Sequence, residues 1–509
     1  MITRLKVNGF KNLVNVDVHF GAFTCIAGAN GVGKSNLFDA IRFLSALADQ
    51  KLVVAAQKVR DGDVGDVRSL FHQGADGHVN TMRFEVEMIV PLTGEDDLGQ
   101  EAHASITFLR YVLEIGYTKQ DRRGTQAGLE VLYEELSHIN RGDAKKHLPF
   151  SPTKEWIETA IQGKQGSPLI SVDTVDGTRR IYLHINRTPA PDKGKTAGGK
   201  PYSYIAANLP KTVLSEVSST EHRTALMARR EMQSWQLLQL EPSALRSPSR
   251  LLDTPHLSAN GEFLPATLYR LEQESIQNGL EPQRVYDEVT NRLAKLIGDV
   301  SMVEIDRDEG WDRMTLRMRD KNGVSHAARF LSDGTLRFLA LATLERDTQT
   351  RGVICLEEPE NGIHPSRIPA ILHLLTDIAT DTQIAIAPQV EDNPLRQVII
   401  NTHSPLVVQQ VDEGDLVVAT PVHAPDGSTH VQFRGLNQTW RADVAASESN
   451  RTATLGELLG YLGTSASDSP TEVLIDKRDD TPATRVTKRV RDRDDVKQYH
   501  RSLFEGIEE

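Results

Sequence analysis

The sequence predicts an α/β protein with a mixed, mainly parallel sheet, and three observations support this class. Residues 28–35 read Gly-Ala-Asn-Gly-Val-Gly-Lys-Ser and match the phosphate-loop pattern G-x-x-x-x-G-K-[ST] without a mismatch. The apolar run 23–27 before it and the helically spaced stretch 36–44 after it place strand, turn and helix in the required order. A second apolar run, 353–356, is followed by two glutamates. Such runs alternating with helices are typical of parallel strands covered on both faces.

Length, charge and cysteine content limit the classes of protein that fit. A chain of 509 residues is too long for one compact core, so we expect two or three domains. The net charge of −12 argues against a general nucleic-acid coat protein, although it leaves room for a local basic groove. Apolar runs are short and residues 1–5 open into a strand pattern, so we expect no transmembrane helix and no signal peptide. Cys25 and Cys355 lie within apolar runs, which favours buried thiols in a reducing cytoplasm.

Residues 1–120 are predicted to form the N-terminal half of a nucleotide-binding domain, with a β-rich subdomain. Apolar and polar side chains alternate over 5–20, which predicts two strands. The phosphate loop and its helix follow, up to about residue 47. Alternation at 81–90 and an apolar stretch at 104–115 predict further strands.

Residues 121–300 give a weaker signal, and we interpret them as an inserted, largely helical arm. Helical spacing with charged faces occurs at 221–240 and 268–297, whereas 178–185 favours a strand. No heptad pattern is sustained in this region of the sequence, so a long coiled coil is not expected.

Residues 301–440 are predicted to complete the nucleotide-binding domain that the insertion splits. Alternation at 302–305 and 314–318 predicts paired strands, and a helix is expected to begin near Gly334. Residues 441–509 contain a short apolar helix and then a stretch dense in Lys, Arg and Asp, for which we predict a solvated helix or a disordered tail.

The phosphate loop is predicted to bind a nucleoside triphosphate. Its glycines allow backbone N–H groups to point inward around an anion, at the positive end of a helix. Lys34 would contact the β- and γ-phosphates, and the Ser35 hydroxyl would ligate Mg²⁺. The loop residues expected to contact the nucleotide are Asn30, Gly31, Gly33, Lys34, Ser35 and Asn36.

Glu357 and Glu358 supply the acidic groups that phosphoryl transfer needs in addition to a phosphate loop. They follow the apolar run 353–356, at the strand end where open α/β sheets place ligands. Adjacent strand residues point to opposite faces, so the two side chains can serve different roles. We predict that Glu357 belongs to the Mg²⁺ shell and that Glu358 polarises the attacking water. The alternative is a pair of surface acids after a strand.

Four further segments make the chain resemble the soluble branch of the ABC-type ATPases, in particular its RecF-, SMC- and OLD-like members. Residues 330–335, Phe-Leu-Ser-Asp-Gly-Thr, resemble the family's signature loop. Residues 358–365 resemble its carboxylate and D-loop run, and residues 399–405 its switch-histidine segment. Residues 10–12, Phe-Lys-Asn, resemble an N-terminal tag of RecF- and SMC-like members. The motifs occur in the family's order.

The resemblance implies a composite ATP site with Mg²⁺, shared by two copies in a homodimer or higher oligomer. The phosphate loop of one copy would meet Ser332 and Gly334 of the other across ATP. His403 would contact the γ-phosphate as a switch, or else be a satisfied histidine at a strand end. The tag would bring Asn12 to the nucleotide. A Q-loop glutamine that ligates the metal is also implied between the phosphate loop and the insertion, and Gln73 is the candidate.

This chain departs from the family pattern in two places. Glu357 stands where the family usually has Asp, and Asp333-Gly334 stands where the signature loop usually has Gly-Gly. Both departures resemble those of OLD- and RecF-type ATPases rather than those of transporters. Residues 472–476 resemble the start of a TOPRIM nuclease domain, but the residues after them are fewer than the roughly 40 that a domain needs, so no nuclease is expected.

Four functions remain open at the level of sequence. ATPases of this build without their own nuclease resemble the ATPase subunits of anti-phage systems such as Septu, retron-linked and PARIS-type systems. Our first hypothesis is therefore a defence ATPase that senses a phage product or nucleic acid and controls a separate nuclease or toxin. The second is a RecF-like repair protein that clamps DNA, and the third is an ATP-locked scaffold. A transporter subunit is disfavoured by the insertion. The pairs 145–146 and 229–230 are candidates for contact with DNA or RNA, against the commoner role of a solvated face.

Overall fold

A computed structural model describes ten segments of the chain. They are residues 1–59, 67–74, 77–118, 128–164, 166–185, 201–308, 310–386, 393–445, 452–462 and 488–497. The resemblance noted at 472–476 lies outside these described residues.

The described residues form an eight-stranded sheet, a seven-stranded sheet, a three-stranded sheet within residues 302–327 and two two-stranded sheets, together with the helices that pack on them. The strands are β1 Ile2–Asn8, β2 Val16–His19, β3 Phe23–Ala27, β4 Gln73–Gly74, β5 Gly77–His78, β6 Thr81–Ile89, β7 Thr93–Glu95, β8 Glu101–His103, β9 Phe108–Thr118, β10 Gly128–His138, β11 Ile170–Val175, β12 Thr178–Leu183, β13 Tyr202–Ile205, β14 Gln236–Leu238, β15 Met302–Asp308, β16 Arg313–Arg319, β17 Ser325–Ala327, β18 Gly352–Glu357, β19 Arg396–Thr402, β20 Leu416–His423, β21 Thr429–Leu436 and β22 Thr452–Ala453. The helices are α1 Lys34–Leu47, α2 Leu52–Gln57, α3 Ala144–His147, α4 Lys154–Ala160, α5 Arg223–Gln233, α6 Pro242–Leu245, α7 Leu264–Gln277, α8 Gln283–Ile297, α9 Asp333–Arg346, α10 Ile368–Ile378, α11 Pro405–Gln410, α12 Trp440–Ala445 and α13 Leu455–Leu462.

A seven-stranded sheet carries the predicted nucleotide motifs. Its strand order is β14-β18-β19-β3-β20-β21-β22. Strands β14, β18, β19, β3 and β20 run parallel to one another, β21 is antiparallel to β20, and β22 is parallel to β21. The prediction of a mixed, mainly parallel sheet is confirmed. The carboxyl ends of β3, β14, β18 and β19 consequently meet at one edge of the sheet.

The sheet is covered on both faces, as the continuous apolar runs predicted. On β18, Val353 and Cys355 face the core that contains α1, whereas Ile354 and Leu356 face the core that contains α9 and α10. On β3, Ile26 faces the core that contains α1, and Cys25 faces the core that contains α9 and α10. Each strand is therefore apolar throughout because consecutive side chains enter different cores.

An eight-stranded antiparallel sheet packs on the far side of α1. Its order is β13-β12-β11-β10-β9-β6-β1-β2, and it confirms the β-rich character predicted for the early chain. Strands β10 to β13 also belong to it, so the prediction of a largely helical arm is wrong for these four strands, of which only β12 matches the strand predicted at 178–185. Two features explain why the sequence did not predict β10. A bulge between Val131 and Tyr133 breaks the alternation of apolar and polar residues, and one of the buried positions is the charged residue Glu134. The Glu134 carboxylate accepts backbone N–H groups from Val213 and Leu214 at 2.7 and 2.8 Å.

The later part of the predicted arm is helical but is divided differently from the sequence prediction. The predicted helix 221–240 ends at Gln233, and β14 follows it as an edge strand of the seven-stranded sheet. The predicted helix 268–297 is two helices, α7 and α8, because Gly279 adopts a φ of +74° between them. Both helices pack in the core that contains α9 and α10.

Arg396 ties β19 to the helices that cover it. Its side chain is buried, and its guanidinium donates to Ile378 O at 2.7 Å and to Leu344 O at 2.7 Å, at the C-terminal ends of α10 and α9. These are the carbonyls that a helix cannot satisfy internally. The far end of the sheet is therefore firmly anchored, whereas the end that carries Glu358 and His403 faces the cavity described below.

The C-terminal residues that the structure describes are packed rather than solvated. In 488–497, Val490 and Val496 are 0% and 1% exposed, and Val490 N donates to Val411 O at 3.1 Å. The prediction of a solvated or disordered tail is wrong for this segment, because its two valines reach the core. Both cysteines are buried and free, as predicted. Among the described helices, none has the length and apolarity that crossing a bilayer requires.

Candidate functional site: a nucleotide cavity at the sheet edge

Residues 28–33 form the turn between β3 and α1, and two of its positions need glycine. The φ angles of Gly31 and Gly33 are +77° and +113°, in the left-handed region that favours glycine. A Cβ atom on Gly33 would lie 2.4 Å from Asn12 Nδ2, so a side chain does not fit there. The turn leads directly into the N-terminus of α1, where backbone N–H groups can bind an anion.

Lys34 is held inside the curve of the loop. Its side chain is nearly buried, and Nζ donates to Gly28 O at 2.5 Å and to Ala29 O at 3.0 Å. Burial lowers the pKa of Lys34, and the glutamates at 357, 358 and 360 oppose that shift by raising it. A phosphate at this position would replace neutral carbonyl acceptors with charged ones, which make stronger hydrogen bonds.

Asn12 stabilises the phosphate loop through hydrogen bonds on the side away from the cavity. Its Nδ2 donates to Val32 O at 2.9 Å, and its Oδ1 accepts from Asn36 Nδ2 at 2.8 Å. Next to it, Lys11 pairs with Asp39 of α1 at 3.0 Å. Asn12 does not line the cavity. The structure thus gives Asn12 a contact to the phosphate loop in place of the predicted contact to the nucleotide.

Glu358 adopts a backbone conformation that is unusual for glutamate. Its φ is +44°, and its N–H donates to both the backbone oxygen and the Oδ1 of Asn401, at 3.0 and 3.1 Å. A non-glycine residue in the left-handed region persists only where the surroundings hold it, and such residues cluster at functional sites. The conformation turns Glu358 away from the strand direction that Glu357 still follows.

The Glu358 carboxylate is held at both oxygens. Its Oε1 lies 2.6 Å from His403 Nδ1, and its Oε2 accepts from Asn361 Nδ2 at 2.7 Å. His403 is exposed, and it does not line the cavity. The structure therefore connects the predicted switch histidine to the predicted water-polarising glutamate.

Glu360 is a third carboxyl group at this sheet edge that the sequence reasoning missed. It is buried, and Thr402 Oγ1 donates to its Oε1. Burial raises the pKa of Glu360, and the charge of Glu358 adds to that rise. Thr402 O also accepts from Gly28 N at 3.2 Å, so this contact joins the end of β19 to the phosphate loop.

One cavity of about 730 Å³ brings most of the predicted site residues together. It lies between the phosphate loop, the ends of β14 and β18, and helices α9 and α10. The predicted residues that line it are Asn30, Gly31, Gly33, Lys34, Ser35, Asn36, Glu357 and Glu358. Unpredicted polar residues in its wall are Gln239, Glu241, Arg337, Asn361 and Asn401.

Besides Asn12 and His403, three further predicted residues lie outside the cavity wall. Gln73 is exposed in the two-residue strand β4, where it pairs with His78, and it is not part of the cavity wall. Ser332 and Gly334 also do not line the cavity. Ser332 is exposed and caps α9, since its Oγ accepts from Thr335 N at 3.2 Å.

Gln239 is the glutamine that the structure brings to the site in place of Gln73. It directly follows β14, which is parallel to β18, so it stands beside the strand that ends in Glu357. A short apolar strand followed by a polar residue was the available signal at 237–239. It was missed because the segment was assigned to a helix.

The oxygen atoms at the cavity suit Mg²⁺, which the resemblance implies. Ser35, Glu357 and Gln239 offer a hydroxyl, a carboxylate and an amide from three different elements. Asn401 Nδ2 approaches Glu357 Oε1 at 3.3 Å and would orient that carboxylate. In the described part of the chain, no cluster of three or more His, Cys, Asp or Glu side chains could hold a metal. Mg²⁺ commonly keeps waters and binds through one or two carboxylates plus substrate phosphates, so this donor set fits it.

A family model described as "AAA domain, putative AbiEii toxin, Type IV TA system" matches residues 23–409, which is more than half of the 509 residues. The chain belongs to this family. The match runs from β3 to α11 and so contains the phosphate loop, the carboxylate strand and the switch-histidine segment. The predicted α/β fold of a P-loop ATPase is thereby confirmed.

Curated relatives include the DNA replication and repair protein RecF of Bacteroides thetaiotaomicron and of Bacteroides fragilis. Each is 33% identical over 78 residues, a match that covers 15% of this chain and 21% of RecF. The chain thus spans about a fifth of the length of these curated relatives.

Solved structures similar to the chain include an SMC head bound to the C-winged helix domain of ScpA. It has 12% identity and a TM-score of 0.44, with 86% of this chain and 99% of that chain covered. The SMC head domain from Thermotoga maritima has 13% identity and a TM-score of 0.35, with 84% and 97% covered. What this chain does at its cavity must therefore be argued from its own residues.

Proposed function

We propose that this chain binds ATP with Mg²⁺ and hydrolyses it to ADP and phosphate. The observation that carries the proposal is that a phosphate loop and a conformationally constrained glutamate line one cavity. In hydrolysis the water oxygen bonds to the γ-phosphorus, and the bond from that phosphorus to the β–γ bridging oxygen breaks. Mg²⁺ supplies charge neutralisation at the phosphates when it is bound.

The chain's own side chains divide this task by position. Lys34 and the loop N–H groups would bind the β- and γ-phosphates, and Ser35, Glu357 and Gln239 would hold Mg²⁺. Glu358 accepts the hydrogen bond of the attacking water and then its proton. His403 and Asn361 fix the two carboxylate oxygens, at 2.6 and 2.7 Å, so that Glu358 is oriented before substrate arrives.

Two copies of the chain would complete one site. Ser332 is exposed, and neither it nor Gly334 contributes to the cavity of its own chain. A hydroxyl and a helix N-terminus are suitable donors to a γ-phosphate. We therefore place Ser332 and Gly334 of one copy opposite the phosphate loop of a second copy, with ATP between them, so that ATP binding favours the dimer and hydrolysis releases it.

Glu358→Gln tests the hydrolytic step. We expect turnover to fall by about a hundredfold or more while ATP affinity stays within about twofold, because the amide cannot accept the proton of water. Glu281→Gln, at an exposed glutamate, serves as the matched control. ATPase assays and equilibrium binding measure both quantities. Undiminished turnover in Glu358→Gln would remove this residue from the reaction.

Mixing two inactive variants tests the shared site. Lys34→Ala lacks the phosphate-loop half, and Ser332→Arg lacks the signature half. Random pairing makes half of the dimers mixed, and each mixed dimer has one intact site of two, so we expect about a quarter of wild-type turnover. If the mixture stays inactive although both variants fold and pair, the shared-site proposal fails while the Glu358 result still stands.

For the cellular role we propose an ATPase that senses a trigger or nucleic acid and controls a separate nuclease or toxin in anti-phage defence. The RecF-like alternative, a clamp on DNA, has the 33% identity to RecF over 78 residues in its favour. Arg229 does not serve either role, because it is buried and donates to Ala48 O and Val217 O. The free, buried cysteines fit a cytoplasmic protein. An ATP-locked scaffold with little hydrolysis is the third possibility.

Two measurements separate these roles. DNA-stimulated turnover that weakens steeply with salt supports the clamp, because phosphate contacts release counterions. Co-purification of a nuclease or toxin with the chain from its native host, with the mass of the complex, supports the defence role. A wild-type chain that dimerises on ATP but shows no turnover is the scaffold.

A further inference from the structure

Arg337 is a charged residue in an apolar part of α9. The other residues of 336–342 are Leu, Phe, Leu, Ala, Leu and Ala, and all of them are buried. Arg337 lines the nucleotide cavity, and its Nε is buried without a hydrogen-bond partner among the described residues. A buried donor without an acceptor is costly, so the packing of α9 alone does not account for arginine at this position.

The guanidinium of Arg337 contacts the turn that follows β18. Its Nη1 donates to Asn361 O. A second close approach lies nearby, since a Cβ atom on Gly334 would be 3.4 Å from Gly362 O. The first turns of α9 therefore approach residues 361–362 at two positions, Gly334 and Arg337. Arg337 provides the hydrogen bond between α9 and this turn.

Asn361 in turn holds Glu358. Its backbone N–H donates to Glu358 O at 3.0 Å, and its Nδ2 donates to Glu358 Oε2 at 2.7 Å. Arg337 thus reaches the carboxylate through one intermediate residue. The same helix begins at the Ser332 cap, five residues earlier, on the surface that the proposed dimer would cover.

We propose that Arg337 is a positioning residue for ATP hydrolysis, which fixes Asn361 so that the asparagine amide keeps the Glu358 carboxylate directed at the cavity. This inference rests on the proposed function, because the carboxylate matters only if it acts on water. It also describes a continuous path of contacts from α9, whose N-terminal cap is Ser332, through Arg337 and Asn361 to the Glu358 carboxylate.

Arg337→Gln and Arg337→Lys test the inference, with Arg346→Gln at the end of the same helix as the matched control. Arg346 is partly exposed and pairs with Glu288 at 3.4 Å, away from the cavity. We expect kcat of Arg337→Gln to fall by about tenfold or more, with KM and ATP affinity within about twofold of wild type. The lysine variant keeps a charged donor and should recover part of kcat, and the control should match wild type.

A double variant distinguishes positioning from general damage. If Arg337 acts through the Asn361 amide, adding Arg337→Gln to Asn361→Ala should cause no further loss of kcat. Losses that multiply, or an unchanged kcat in Arg337→Gln, would overturn the inference. If the glutamine variant does not fold, Arg337→Lys combined with Asn361→Ala gives the same comparison.

Hydrogen exchange without nucleotide keeps this test separate from that of the proposed function. We expect Arg337→Gln to raise amide exchange at residues 360–363 relative to Arg346→Gln, because the turn loses its tie to α9. If wild type shows no ATP turnover, the proposed function fails and exchange alone decides. Unchanged exchange in Arg337→Gln would then overturn the link between Arg337 and the turn.

Discussion

The two halves of the proposed ATP site differ in how far one chain completes them. In the phosphate-loop half, Lys34 is nearly buried, and Asn12 fixes the loop through two hydrogen bonds. In the signature half, Ser332 is exposed, and its Oγ accepts the hydrogen bond from Thr335 N that caps α9. Only the first half lines the cavity.

This difference implies that ATP binding and ATP hydrolysis depend on different halves of the site. A half-site that is buried and braced can bind a nucleotide in a single chain, because its donors are already oriented. A half-site that is exposed and off the cavity can act only on a nucleotide brought to it from outside. The comparison therefore predicts that defects in the first half abolish binding, whereas defects in the second half spare it.

The largest effect is expected for Lys34→Ala in the phosphate-loop half. ATP affinity should fall by about a hundredfold or more, because Lys34 offers charge-assisted hydrogen bonds to two phosphates. Lys51→Ala, at an exposed lysine before α2, is the control. Binding of a fluorescent ATP analogue measures the change. Wild-type affinity in Lys34→Ala would contradict the assignment of the cavity.

An intermediate effect is expected for the glutamine beside Glu357. Gln239→Ala should lower turnover by about tenfold and raise the Mg²⁺ concentration needed for half-maximal rate, because one oxygen donor is lost. Gln73→Ala is the matched control and should keep turnover within about twofold, since Gln73 lies off the cavity. Steady-state assays over a Mg²⁺ series distinguish them. If Gln73→Ala lowered turnover and raised the Mg²⁺ requirement while Gln239→Ala did not, Gln73 would be the metal ligand.

The smallest effect is expected for the brace behind the phosphate loop. Asn12→Ala removes the hydrogen bonds to Val32 O and from Asn36, so the free energy of unfolding should fall by about 1–3 kcal/mol. Asn278→Ala, at an exposed asparagine after α7, should change it by less than about 0.5 kcal/mol. Urea unfolding measures both. If Asn12→Ala instead lost as much ATP affinity as Lys34→Ala, with an unchanged free energy of unfolding, Asn12 would contact the nucleotide directly.

Sequence reasoning succeeded where neighbouring residues set the structure. The phosphate loop, β3 and α1 were predicted together because strand, glycine turn and helix are contiguous. Glu357 and Glu358 were placed at a strand end by the apolar run before them, and both line the cavity. The left-handed conformation of Glu358 left no signal in the sequence, since it depends on Asn401 of another strand.

The errors share a physical origin in long-range pairing. β10 was missed because its bulge and the buried Glu134 disturb the alternation that identifies a strand. Gln239 was missed because β14 is only three residues long and is a strand only through its pairing with β18. The assignment of Gln73 followed from chain order alone, and the fold does not bring it to the cavity.

The sequence by itself determined the phosphate loop, the carboxylate strand and the order of the motifs, because each depends on residues within a few positions of one another. The tertiary structure decided which distant groups join them. Gln239, Asn401 and Arg337 reach the cavity because β14, β18 and β19 are neighbours only in the folded sheet, with α9 packed across it. Contacts between such elements do not depend on a periodic pattern of neighbouring residues, so no local pattern in the sequence predicts them.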